Sequence, residues 1–354
     1  METINNKYCK IWIALIAYHL FNAIFKGVVY DHSVSLVSNY SLFFASIFNC
    51  YFTMIYTIYC LKKNPQKTLY YGLCGYLLFL LFAFSLAEVD DTSQGERLSG
   101  AIFSTQFAQA AGMSLLFLVF YHYNQRLRMT TTLCYSILPI LAIIMCGSRN
   151  GFGLLLLAVF AFFMGKLFLN KLSFGKIISL ILFSVIIYYS INHILDNTVL
   201  GERLLQSKDY NDELNAETGT ILDYLGDRSI YYVVGWSNFL ENPITGIGLF
   251  NYINYNKSEF PLHSEYLTHL TEGGIVGTFI YLLFIGGLLK NIFKMFIAKR
   301  NSDNVLILIL FLSYLFIGIT AREFYYNQFY PILGLCIYKS CKHYEKRDRN
   351  LLSY

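Results

Sequence analysis

Long apolar runs separated by short polar stretches set the plan of this chain. A helix needs about 20 mostly apolar residues to cross the hydrocarbon core. Ten runs approach that requirement, near 9–29, 36–61, 68–87, 101–121, 130–148, 151–169, 177–195, 272–294, 304–320 and 324–341. The pattern predicts an all-α, polytopic integral membrane protein with about ten transmembrane helices. The first run, Ile11–Phe25, lacks a small-x-small cleavage signature and reads as a retained helix. One polar interval stands apart, the 67 residues from Asp196 to Leu262. Loops of that length without structure of their own are uncommon. The chain therefore divides into 1–195 with seven spans, a large outer loop 196–262, and 263–354 with three spans and a tail.

Part of the loop has a helical pattern. Asp227 is a natural N-cap, and Val233, Trp236 and Leu240 follow at helical spacing on one face. Asn242-Pro243 stops that helix near Glu241, and Gly246 and Gly248 allow a tight turn. An apolar stripe on a loop helix predicts contact with the bilayer surface or with the helix bundle.

Composition agrees with a membrane location. The 354 residues are 56% hydrophobic and 14% charged, whereas soluble domains carry about 25% charged residues. With both termini inside, the inner segments hold 19 Lys and Arg and the outer segments 8. That asymmetry follows the positive-inside rule. It places both termini in the cytoplasm and the long loop outside the cytoplasmic (inner) membrane. No inner segment is long enough to fold a nucleotide-binding domain. No P-loop, dinucleotide fingerprint or Gly-x-Ser-x-Gly elbow occurs, and nothing suggests a nucleic-acid partner. The eight cysteines form no CxxC pair and read as small apolar residues rather than a disulfide framework or zinc site. Glu88, Asp90 and Asp91 cluster on one outer loop. Carboxylates can hold a divalent cation, but an acidic outer loop is also what the topology expects. The expectation is no metal and no cofactor.

The remaining polar residues near the outer boundary are mostly cations. Arg228 falls in the first turn of the expected loop helix, where a positive charge is disfavoured by roughly 0.3–1 kcal/mol. It is explained either by a bound anion, to which N–H groups and guanidinium would both point, or by neutralisation from Asp227. Arg149 lies in Cys146-Gly-Ser-Arg-Asn-Gly151, a short break between two apolar runs. It is either a snorkelling anchor or a charge held at the membrane for function. His263 follows Pro261 and opens the next helix, where an imidazole can take a proton from a hydroxyl. His269 and His193 compete for that role. Arg203 beside Glu202 and Arg322 beside Glu323 are either solvated loop charges or further parts of an anion site. Tyr231, Tyr232, Tyr252 and Tyr255 are either sugar-stacking platforms or interface anchors.

Taken in order, Ser148-Arg149-Asn-Gly151, a long outer loop, Arg228 followed by Trp236, Asn242-Pro243-Ile-Thr-Gly246-Ile-Gly248, His263 and Glu272-Gly-Gly-Ile-Val-Gly277 resemble the O-antigen polymerase and O-antigen ligase superfamily. The motifs cover roughly residues 146–290. The resemblance implies a bacterial envelope glycosyltransferase acting on undecaprenyl-diphosphate-linked oligosaccharide. It implies that Arg149 and Arg228 bind the diphosphate and that His263 is the base, with Arg203 a weaker match. It also implies an outward-facing active site, with a chain-length regulator as a possible membrane partner. The ligases typically show His-Asn where this chain reads His263-Ser264, which favours a polymerase of O-antigen or capsule over a ligase to lipid A core. A flippase or transporter of lipid-linked sugars is the rival from another class. It should show repeat symmetry and helices interrupted near the bilayer centre, and neither is visible in the sequence.

Overall fold

The computed structural model describes residues 6–27, 36–92, 95–100, 104–125, 127–169, 189, 229–256, 262, 264–320 and 329–352. Their elements are α1 (Lys7–Lys26), α2 (Leu36–Lys63), α3 (Pro65–Ser85), β1 (Ala87–Thr92), β2 (Gly95–Gly100), α4 (Ser104–Gln125), α5 (Met129–Cys146) and α6 (Arg149–Leu169). There follow α7 (Ser229–Glu241), α8 (Tyr252–Asn256), α9 (Glu265–Ala298), α10 (Ser302–Thr320) and α11 (Tyr330–Leu352). Among the described residues, six helices are long and apolar enough to cross a membrane: α1, α3, α5, α6, α9 and α10. The chain is a multi-pass membrane protein. The expected run 177–195 lies outside the described residues except for Tyr189.

The expected α-class membrane fold stands, with a short antiparallel pair beside the helices: β1 and β2, with Ala87 opposite Gly100 and Asp90 opposite Arg97. The acidic cluster Glu88, Asp90 and Asp91 thus sits on a strand rather than in an irregular loop. Two boundaries are corrected. The expected run 272–294 belongs to a longer helix, starting at Glu265 and interrupted at Gly274, where φ is 61° and ψ −165°. The interruption also removes part of the sequence argument against a transporter. Finally, α11 does not stop near 341 but continues through the charged tail to Leu352.

The chain forms two compact units. The first comprises Met1–Pro65, Asp227–Met295 and Tyr314–Tyr354. Its core is aromatic: Trp12 of α1 packs on Phe284 of α9 at 4.7 Å and on Tyr330 of α11 at 5.8 Å. Tyr8 donates to Gly287 O at 3.0 Å and accepts from Asn291 Nδ2. These bonds tie α1 along the length of α9, so the N-terminal helix is part of this unit's core. The second unit comprises Gln66–Gly226 and Phe296–Ser313. Here α4 lies between α5 and α6 and is buried on every side from Phe107 to Tyr121. A helix buried all round has no use for a polar face, and this stretch is almost wholly apolar.

Candidate functional site

The Asn242–Gly248 and Glu272–Gly277 motifs interlock in the first unit. The break at Gly274 strips α9 of several internal hydrogen bonds. An unsatisfied backbone group away from water costs several kcal/mol, and the 243–248 segment supplies the missing partners. Ile275 N donates to Pro243 O at 2.8 Å and Val276 N to Ile244 O at 3.3 Å. In return, Ile247 N donates to Thr271 O and Gly248 N to Glu272 O, both at 3.0 Å. Gly246 and Gly274 have positive φ, 68° and 61°, and a Cβ on either would collide with backbone of the other segment. Only glycine permits both the conformation and the approach.

Glu272 is fully buried. Its carboxylate accepts from Phe250 N at 2.9 Å and from Tyr252 N at 3.3 Å. A buried carboxylate is tolerated where N–H donors replace its water, and here those donors fix the chain after the turn. Phe250, held at φ 68°, is the non-glycine residue with positive φ among those described. Helix α1 closes the other side. Tyr18 Oη lies 2.6 Å from Gly273 O, and Asn22 Nδ2 donates to Thr245 O at 2.6 Å. Asn251 Nδ2 lies 3.0 Å from Gly27 O and 3.1 Å from Ile247 O. It thereby satisfies a carbonyl at the end of α1. Tyr18, Asn22 and Lys26 recur at i, i+4 and i+8, a polar stripe inside an apolar helix whose spacing is the sequence signal for this contact.

The next helix is entered through Ser264. Its hydroxyl accepts from Leu267 N at 3.4 Å and sits 3.5 Å from Gly318 O, so it caps α9. Asparagine caps equally well. The His263-Ser264 difference from the ligases therefore has a structural reading that leaves the acceptor open. His269 is buried, 3.1 Å from the equally buried Glu265, and stacks on Tyr281 with ring centroids 4.0 Å apart. His263, Arg228, Arg203, Arg322 and His193 lie outside the described residues.

The tyrosines separate. Tyr252 is buried and cannot face a sugar. Tyr232 is half-buried and donates to Ile319 O at 3.0 Å, so it staples α7 to the end of α10. Tyr231 lies in α7. Tyr255 is exposed, and its hydroxyl donates to Glu241 Oε2 at 2.8 Å, which pushes its pKa up.

Arg149 belongs to the second unit. Gly147, at φ 58°, ends α5 in a left-handed cap, and Ser148 begins α6 by accepting from Gly151 N at 3.5 Å. A two-residue connection therefore joins the helices. A Cβ at Gly151 would come within 2.7 Å of Ala108 Cβ, so the motif also sets how closely α6 approaches α4. Arg149 is the first residue of α6 and is exposed. A cation at a helix N-terminus is electrostatically misplaced. An anion at the same place would meet both the guanidinium and the positive end of the helix dipole.

Among the described residues no group of three His, Cys, Asp or Glu side chains is arranged to hold a metal ion. Residues 134–282 match the family model described as O-antigen ligase. The matched stretch includes Arg149, Arg228, His263 and both interlocking motifs, and it supports the O-antigen polymerase and ligase superfamily as the family of this chain. A search of curated proteins finds no match.

Proposed function

We propose, with that superfamily as the premise, that this chain is a polysaccharide polymerase. It joins undecaprenyl-diphosphate-linked repeat units on the outer face of the cytoplasmic membrane by inverting glycosyl transfer. The observation that carries the transferase reading is the family match over 134–282, within which an exposed arginine opens α6; the choice of polymerase over ligase rests on His263-Ser264 in the sequence. Family members of this kind act as glycosyltransferases on lipid-linked glycans.

In this reading His263 takes the proton from an acceptor sugar hydroxyl. The oxygen attacks the anomeric carbon from the face opposite the diphosphate. The bond from that carbon to the diphosphate oxygen breaks, and undecaprenyl diphosphate leaves with the electron pair. Arg149 and Arg228 bind the diphosphate and stabilise the charge that grows on it. Two guanidiniums can serve where other enzymes use a divalent cation, so transfer is expected to persist in EDTA. Arg203 and Arg322 are assigned to the diphosphate of the second, acceptor substrate. Tyr231 and Tyr255 remain candidates for sugar contact.

The test is the glycan profile of a deletion strain. Single repeat units on their normal acceptor, with the ladder of longer chains lost, support a polymerase. Long lipid-linked chains that fail to reach lipid A core identify a ligase instead. Full-length glycans on their acceptor would overturn both.

A further inference from the structure

Helix α7 leaves an apolar stripe exposed, unlike a helix that faces water. Its buried face carries Gly235 and Asn238, the latter donating from Nδ2 to Asn256 Oδ1 at 2.9 Å. Gly235 lies against Leu262, Leu267 and Thr271, and Thr271 Oγ1 donates to Gly235 O at 3.0 Å. This face is therefore anchored to α9. The opposite side exposes Val233, Trp236 and Leu240, by 52%, 51% and 60%, flanked by exposed Ser237 and Glu241. A soluble amphipathic helix buries its apolar stripe and exposes its polar one. Here Val234 packs on the Ile247, Tyr252 and Leu262 cluster, yet an apolar stripe stays exposed between polar edges, as expected at the boundary of hydrocarbon.

The stripe does not end with the helix. Ile244 follows, 66% exposed, on the segment whose backbone is bonded to Ile275 and Val276. Ile275 and Phe279 are also exposed and lie in α9, one of the helices long and apolar enough to cross a membrane. Phe21, Ile24 and Phe25 are exposed at the end of α1, whose Asn22 and Lys26 contact Thr245 and Asn242. The apolar surface thus runs from two spanning helices onto α7 without leaving the first unit. Lys26 Nζ, 3.4 Å from Asn242 Oδ1, puts a cation beside the stripe, as suits headgroup level.

We propose that α7 lies in the plane of the membrane interface, with Val233, Trp236, Leu240 and Ile244 inserted among the lipid acyl chains. The partner is the lipid surface itself. A short helix with a wide apolar face and a Trp fits this position, and Trp favours the interface over the hydrocarbon centre. The inference requires the chain to be in a bilayer and is independent of the glycan chemistry. Its consequence for that chemistry is one of place. Arg228 immediately precedes Ser229 in the sequence, so an in-plane α7 would begin its chain at the depth of a lipid diphosphate.

The chain has two tryptophans, and Trp12 is fully buried. Wild type and Trp236→Phe are reconstituted into phosphatidylcholine and phosphatidylglycerol vesicles, and their emission difference reports Trp236 alone. Lipids brominated near the glycerol end of the acyl chain should quench most of that difference. Lipids brominated near the chain terminus should quench less, and aqueous iodide little. Should Trp236→Phe fail to accumulate, Leu240→Trp adds an emission read in the same way. Strong iodide quenching with no effect of brominated lipid would overturn the proposal in favour of a water-facing loop. Resistance to both quenchers, with crosslinking between copies at Trp236, would overturn it in favour of a protein interface. Glycan transfer is a separate readout: its absence would count against the transferase reading and leave the depth measurement standing.

Discussion

Glycine-bearing motifs of similar appearance do opposite work in the two units. In the second unit, Cys146–Gly151 makes a two-residue turn and exposes its charged residue, Arg149, at the start of α6. In the first unit, Asn242–Gly248 and Glu272–Gly277 close on each other and bury their charged residue, Glu272, among backbone N–H groups. One charge has its partners supplied by the fold. The other faces outward and is placed where a helix dipole opposes it. The contrast teaches that a polar motif within membrane helices is not by itself a sign of chemistry. The useful distinction is whether the fold encloses the charged side chain or leaves it exposed.

The sharpest way to break the comparison is at Gly274. Gly274→Val places a β-branched residue at positive φ and drives its side chain into Ile244 O and Gly246 N. The expected cost is on the order of 3 kcal/mol or more. The protein should fail to accumulate in the membrane. A Gly274→Val protein with wild-type thermal stability in detergent would mean that the two motifs do not interlock.

A middle-sized effect is expected from Glu272. Glu272→Ala strands the Phe250 and Tyr252 N–H groups in the core, at about 1–3 kcal/mol for each. Glu272→Gln keeps one acceptor oxygen and should lose less. Arg149→Ala is the counterpart: an exposed residue whose removal should change stability by no more than about 0.5 kcal/mol. Under the proposed function it nevertheless abolishes polymer, and Arg149→Lys restores little of it, because an ammonium lacks the bidentate fork. Melting curves and glycan ladders on the same preparations separate the two behaviours. If Glu272→Gln and Arg149→Ala lose stability equally, the distinction between enclosed and exposed charge collapses.

The smallest effect concerns Ser264. Ser264→Ala removes the α9 cap and should cost about 1 kcal/mol, whereas Ser264→Asn retains a capping oxygen and should be nearly neutral. If Ser264→Asn leaves stability intact and polymer length unchanged, this position says nothing about the acceptor. A change of product from polymer to single-unit transfer would make it a specificity residue.

Much of the architecture was legible in the residues because lipid leaves helices few alternatives. Runs of apolar residues of spanning length have to satisfy their own backbone, so the intervals at the start of the chain and around 130–169 appear as helices close to their expected bounds. The stop after Glu241 was equally legible, since Asn242-Pro243 cannot continue a helix. The hairpin of β1 and β2 was not, because its stability rests on pairing across a turn rather than on a periodic pattern. The candidate arginines and His263 were picked by residue type and order, and the family match spans them. The roles of the tyrosines were not legible, because residue type alone does not say which hydroxyl is already engaged, as that of Tyr232 is with Ile319 O.

The sequence alone determined that this chain is a multi-pass membrane protein, where its principal helices run, and which motifs mark its family. Those are consequences of local composition and of the cost of bare backbone in lipid. Only the tertiary structure decided that Gly274 breaks a helix, that residues 243–248 repair the break, and that Tyr18, Asn22 and Asn251 hold the repair in place. It also decided that Glu272 and His269 are enclosed while Arg149 and the stripe of α7 face outward. Those outcomes depend on contacts between residues far apart in the chain, and no local pattern encodes which hydrogen bonds distant segments will satisfy.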